Sequence, residues 1–216
     1  MQVVLLSLIM ITGIIFQVYK GYYDFQIGLY IYELIFLNLI YYVIWALLSF
    51  FIQTIIPNPY LGLFVMIVLL IGIPLTRIAG IEQSIFKYNQ GPGFSYSDMN
   101  GYGSGLNNYF IYKFYWLSLG LVFYILTILF YNRGFSNGVS QKFKIVKSRF
   151  NGKNPFFLTL FTLIFISIGS YLYYDNNVLN IRKSAKEREI ETVEWEKKYK
   201  KFEKYSQPRI VSVNVK

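Results

Sequence analysis

The 216-residue chain has no cysteine and no histidine. Without thiols there is no disulfide and no thiolate nucleophile, and without imidazole there is no histidine metal ligand or proton relay. Most zinc sites and the nucleophile–histidine triads are excluded with them. Charge is also scarce. Only 15% of residues are charged, with 11 acidic side chains against 21 basic ones, where a soluble domain carries roughly a quarter. What is plentiful is apolar surface, with 55% hydrophobic and 20% aromatic residues. A water-facing globule of this length cannot bury so much, so lipid is the expected solvent. The charges are uneven as well. Residues 175–216 hold 11 of the basic and 7 of the acidic groups, leaving 10 and 4 for the first 174 residues. The net charge of +10 thus comes from one basic loop and a mixed tail, and it is no nucleic-acid signature.

Five apolar runs approach the length that crosses a hydrocarbon core of roughly 30 Å. The first is Val3 to Val18, which lacks the basic flank and small-residue cleavage site of a signal peptide and so reads as a span. That missing flank also points to a start further upstream. The second, Ile27 to Ile56, is longer than one span needs, so tilt or an interfacial first turn is expected. Pro57 to Pro59 ends it, since proline removes a donor and restricts its predecessor. The third runs from Tyr60 to about Ala79 with a kink at Pro74. The fourth is Phe114 to Tyr131, and the fifth is Phe156 to Tyr174, entered through Pro155. Aromatic clusters at the ends of runs (Tyr22, Tyr23, Phe25; Tyr109, Tyr112, Tyr115, Trp116; Tyr171, Tyr173, Tyr174) read as interfacial belts rather than ligand cages.

Between the runs lie a long polar segment, Gly80 to Tyr112, and an acid-free basic loop. The loop, Arg133 to Asn154, holds Arg133, Lys142, Lys144, Lys147, Arg149 and Lys153. Interleaved with Phe143, Ile145, Val146 and Phe150, it suits a segment lying on anionic lipid. The positive-inside rule places this loop in the cytoplasm. The opposite side collects Lys20, Arg77, Lys87, Lys113, Arg182, Lys183, Lys186 and Arg188. That is eight cations against six, but Glu187 and Glu189 accompany the tail. The short, unneutralised loop is therefore assigned inside.

In the tail, Ser184 to Tyr205 predicts a charged helix. Trp195, Tyr199 and Phe202 form one narrow apolar stripe that needs a partner surface. Val211, Val213 and Val215 alternate with polar residues as in a half-buried strand. A lone strand leaves its hydrogen bonds unmet, so a β-domain is expected to begin there. The expected fold is an all-α integral membrane protein with about five transmembrane helices, a charged C-terminal helix and a short terminal strand.

Few residues suggest chemistry. Gly101 to Gly105 superficially resembles a phosphate loop but lacks the strand, following helix and Lys-Ser/Thr such a loop requires, so an external turn is expected. Glu33 lies inside the second run, where an acid serves a pathway or a partner, unless it reaches the nearby interface. Arg77 and Glu82 flank the end of the third run and are candidates for an interfacial pair. No cofactor is expected, and the clearest partner is the bilayer.

Several stretches together resemble a bacterial fusion of a type-2 ABC exporter permease with a zinc aminopeptidase of the aminopeptidase N type, in the form found in Bacteroidetes. They are FQVYKGYYDFQIGLY (16–30), YSDMNGYG (96–103), IYKFYW (111–116), YNRG (131–134), YYDNNVLN (173–180), WEKKYK (195–200) and QPRIVSVNV (207–215). The resemblance implies that 1–132 is a partial permease unit of four helices and 133–154 a cytoplasmic loop. A fifth helix at 155–174 then leads to a periplasmic stalk and the first strand of a truncated domain at 175–216. It further implies residence in the bacterial inner membrane, export driven by a separate ATP-binding subunit, and homo- or hetero-oligomers. The alternative is an anchor that presents an external peptidase-like domain. The peptidase's His-Glu-x-x-His and Gly-x-Met-Glu-Asn are missing from this sequence, so no enzyme activity is expected of this chain.

Overall fold

A helix buried in lipid must satisfy its own backbone, and the ends of these helices show where that requirement stops. In a computed structural model describing residues 1–131, 146, 150, 153–180, 183–203 and 205, the first helix, α1, is Gln2–Tyr19. The second, α2, runs Ile27–Ile55, with a π-helical segment at Ile31–Leu37. It stops where Ile56 turns extended before Pro57. Helix α3 is Pro59–Leu75. The Asn58 side chain caps it, its Oδ1 accepting from the Tyr60 amide at 2.9 Å, with Pro59 in the first turn, where its missing N–H costs nothing. Helix α4 is Gly105–Phe130 and α5 is Lys153–Tyr174, followed by a π turn at Asp175–Leu179. Helix α6 is Ala185–Tyr199. Among the described residues there is no strand, only an isolated bridge between Ser97 and Gly101.

Among the described residues, four helices are long and apolar enough to cross a membrane: Gln2–Tyr19, Ile27–Ile55, Gly105–Phe130 and Asn154–Leu179. The third run differs from its expected extent. It ends at Leu75 rather than Ala79 and reaches 17 residues, about 25 Å at 1.5 Å per residue. Pro74 sits in its last turn instead of kinking its middle. There the Thr76 hydroxyl donates to the Ile73 carbonyl at 2.6 Å, and successive turns lead to Gly80 at φ +84°. The fourth run is longer than expected, beginning at Gly105 instead of Phe114. The polar segment is shorter by the same residues.

The chain divides into two compact units, Met1–Asp175 and Asn176–Lys216. In the first, α4 is the central helix: 39% of its span is buried, against 6% for α1. It packs between α2 and α5. Close approach relies on small residues. A Cβ on Gly120 would lie 2.9 Å from Leu47 Cδ1 of α2, and one on Gly169 of α5 would lie 3.0 Å from the Tyr115 ring. The core gathers Ile44, Tyr112, Tyr115, Trp116 and Leu172, together with Ile85 from the segment between α3 and α4. Tyr109, Tyr112, Tyr115 and Trp116 are thus not a belt, because all four are buried inside the protein. Tyr22, Tyr23, Tyr171, Tyr173 and Tyr174 do remain exposed at helix ends.

The second unit contains α6. Ser184 and Glu187 form a reciprocal capping box on α6, and Lys183 pairs with Glu191. Trp195 and Tyr199 stack with ring centres 4.9 Å apart, and Tyr199 meets Phe202 at 6.4 Å, so the expected aromatic stripe forms. The expected strand at 209–215 and nearly all of the basic loop at 133–154 lie outside the described residues.

Candidate functional site

The segment between α3 and α4 does not loop freely. Ser84–Phe86 makes one 3-10 turn, and the chain then enters the groove between α2 and α4. Aromatic side chains secure it there with bonds to backbone. The Tyr88 hydroxyl donates to the Ile44 carbonyl at 2.8 Å, and the Trp116 indole N–H donates to the Gln90 carbonyl at 2.7 Å. Gly91 lets the backbone pass, since a Cβ there would stand 3.1 Å from Tyr112 Cβ.

At the centre is Lys113, 5% exposed. Its Nζ donates to the Asn89 carbonyl at 2.9 Å and to Asn89 Oδ1 at 2.8 Å. It also lies 4.8 Å from the centre of the Tyr41 ring and 5.4 Å from that of Tyr109. Asn89 in turn donates through Nδ2 to the Tyr41 carbonyl at 2.9 Å. Asn89 has φ +57°, a conformation that asparagine tolerates better than most residues. A buried amine with no carboxylate partner would be expensive. Here two oxygens and two ring faces stand in for water, so the arrangement is self-sufficient and immobilises the segment.

The π segment of α2 supplies further acceptors. Widening the helix frees carbonyls from the usual ladder. The Asn38 side chain donates to the Glu33 carbonyl at 2.9 Å, and the Tyr109 hydroxyl donates to the Leu37 carbonyl at 2.8 Å. Glu33 itself is half-buried on this segment. Tyr102, from the segment before α4, sits nearby with its ring 5.6 Å from that of Tyr32. Burial, and then the adjacent Glu33 carboxylate, push the Tyr102 phenol up to about 12. No hydrogen bond of standard geometry reaches its hydroxyl.

Of the residues singled out from sequence, Glu33 therefore lies beside the docked segment. Arg77 is exposed in the turn after α3 and Glu82 is half-buried beyond Gly80. Gly101 and Gly103 have φ +58° and +54°, as an external turn requires. A helix does follow them, contrary to expectation, because α4 begins at Gly105. No strand precedes them among the described residues, and no Lys-Ser/Thr follows.

Sequence reasoning missed Lys113 and Asn89. The charge pattern places Lys113 among the extramembrane cations opposite the basic loop, yet it lies in α4. The available signal was a lone lysine at the centre of Tyr109, Tyr112, Tyr115 and Trp116, which is about two helical turns of aromatic surface. No family model, curated protein or solved structure matches the chain. The likeness to exporter permeases rests on the quoted sequence stretches alone.

Proposed function

We propose that the chain is the membrane-embedded part of an exporter-type permease, with α3 as a fifth, short traversal and with transport driven by a separate ATP-binding subunit. One observation carries this reading. The segment before α4 is built into the helices through Lys113, Asn89 and Tyr109, on a helix whose π segment exposes acceptors and carries Glu33. A passive anchor needs no such construction. π segments also recur at functional sites, and an acid within a span is a functional group by default.

The test is affinity purification of the chain from its native membrane in mild detergent, followed by assay for a bound nucleotide-hydrolysing subunit. Co-purification, with hydrolysis reduced by Glu33→Gln, supports the reading. Recovery without any ATP-binding protein counts against it.

A second reading is a membrane anchor that presents an external domain. It is favoured by α1, whose side chains are largely exposed, and by the separate, highly charged unit that contains α6. Replacing the helices with a single plain span distinguishes the two, since an anchor's cellular function survives the exchange.

A further inference from the structure

We propose that the cavity at the α1–α2 connection binds the aminoalkyl phosphate group of a zwitterionic lipid, with a primary ammonium as its cationic end. The cavity measures about 520 Å³, within the roughly 300–1,000 Å³ of ordinary ligand pockets. Its wall includes Phe16, Gln17, Lys20, Asp24, Tyr30 and Asp98.

Position is the first argument. The cavity lies where one span ends at Tyr19 and the next begins at Ile27, which is headgroup depth for both. Exposed Ile15, Phe16 and Val18 line the helix directly below it, a surface suited to acyl chains.

Charge is the second. Before the tail the chain has 4 acidic residues, and two of them, Asp24 and Asp98, meet here from distant parts of the sequence. Lys20 shares the cavity, yet among the described residues it forms no ion pair with either of them. Its Nζ instead lies 5.7 Å from the centre of the Phe16 ring. Both signs are therefore available on one wall, as a zwitterion requires: Lys20 for the phosphate, Asp24 and Asp98 for the ammonium.

Hydrogen-bonding capacity is the third. Gln17 donates through Nε2 to the Tyr30 hydroxyl, which fixes both side chains in the cavity wall. The two carboxylates, Asp24 and Asp98, form the acceptor set. A primary ammonium has three N–H groups to give to it, whereas a quaternary ammonium has none. The ligand class is thus an ethanolamine-type headgroup, and choline-type or purely anionic headgroups are disfavoured. The assignment does not depend on the exporter reading.

The test reconstitutes the full chain into bilayers with equal parts phosphatidylethanolamine, phosphatidylcholine and phosphatidylglycerol. The protein is then extracted in mild detergent and its retained lipid quantified by mass spectrometry. Phosphatidylethanolamine enriched by roughly fivefold or more is the expected result, falling to parity in an Asp24→Asn/Asp98→Asn variant and reduced in Lys20→Gln. Millimolar soluble phosphoethanolamine should leave the retained lipid in place. Equal retention of all three lipids, or unchanged preference in the double variant, overturns the proposal. Binding of the soluble compound with no lipid retained overturns the lipid assignment. All three substitutions are at exposed side chains, and unaltered thermal unfolding in detergent verifies that each variant is folded.

Discussion

At the scale of single residues, Lys113 and Asn89 act as one unit, and their removal has asymmetric consequences. Asn89→Ala strips the buried amine of an acceptor and the Tyr41 carbonyl of a donor. It should cost about 2–3 kcal/mol, the penalty of leaving buried polar groups unmet. Lys113→Met keeps the side chain's length and removes the charge, so it should cost less than Asn89→Ala, because no buried charge is left behind. Thermal unfolding of the purified protein in detergent ranks the two. Limited proteolysis reports the same event locally, with new cleavage between residues 92 and 104 in Asn89→Ala. Equal resistance in both variants would show that the segment is held by its aromatic packing alone.

At the scale of elements, packing and capping set separate limits. Gly120→Val and Gly169→Val place a branched side chain where Leu47 and Tyr115 already stand. Overpacking of this kind typically costs about 1–3 kcal/mol. The loss should appear as lower melting temperatures, with Gly169→Val the worse, since a ring held by stacking on Phe165 at 4.6 Å yields less readily than a leucine methyl. Helix α6 depends on a different force. Hydrogen bonds from the Ser184 backbone and side chain hold the Glu187 carboxyl below its ordinary range. A carboxyl lowered on folding stabilises above its unfolded pKa, and that contribution fades as pH falls through the folded value. Amide exchange in the first turn of α6 should therefore accelerate on acidification, corrected for intrinsic exchange rates. In Ser184→Ala the turn should already be open near neutrality. The elements themselves were largely legible in the sequence: α1, α2 and α5 follow their apolar runs closely. The limits of α3 and α4 were not. Apolar content continues past Leu75, but Pro74 and the turns up to Gly80 end the helix. Polar Asn107, Asn108 and Lys113 hid the first turns of a helix that packs on α2 and α5.

At the scale of the whole molecule, the absence of cysteine makes topology directly measurable. Met99, Tyr23 and Tyr131 are all well exposed. Single substitutions Tyr23→Cys, Met99→Cys and Tyr131→Cys in sealed vesicles should divide into two classes towards an impermeant thiol reagent. Tyr23 and Met99 should label from one side and Tyr131 from the other. Asp98 and Asp24 share one cavity, and the proposed fifth traversal by α3 would return the chain to that side. Labelling of Met99→Cys together with Tyr131→Cys would mean that the 17 residues of α3 do not cross. The candidate site was less legible than the helices for a physical reason. Periodicity reports which side chains avoid water, but it does not say whether lipid or protein replaces it. Only the fold showed that Tyr109 and Trp116 face a returning segment.

The location of Lys113 also bears on how the chain is made. Tyr41, Asn89 and Tyr109, the groups that receive it, all precede it in the sequence. During synthesis from the amino terminus they leave the ribosome first. When the amine emerges, the oxygens and rings it contacts are already outside the exit tunnel, so α4 need not carry a naked charge through the insertion machinery. Moving the lysine ahead of its receivers by circular permutation would remove that advantage while leaving the finished structure the same.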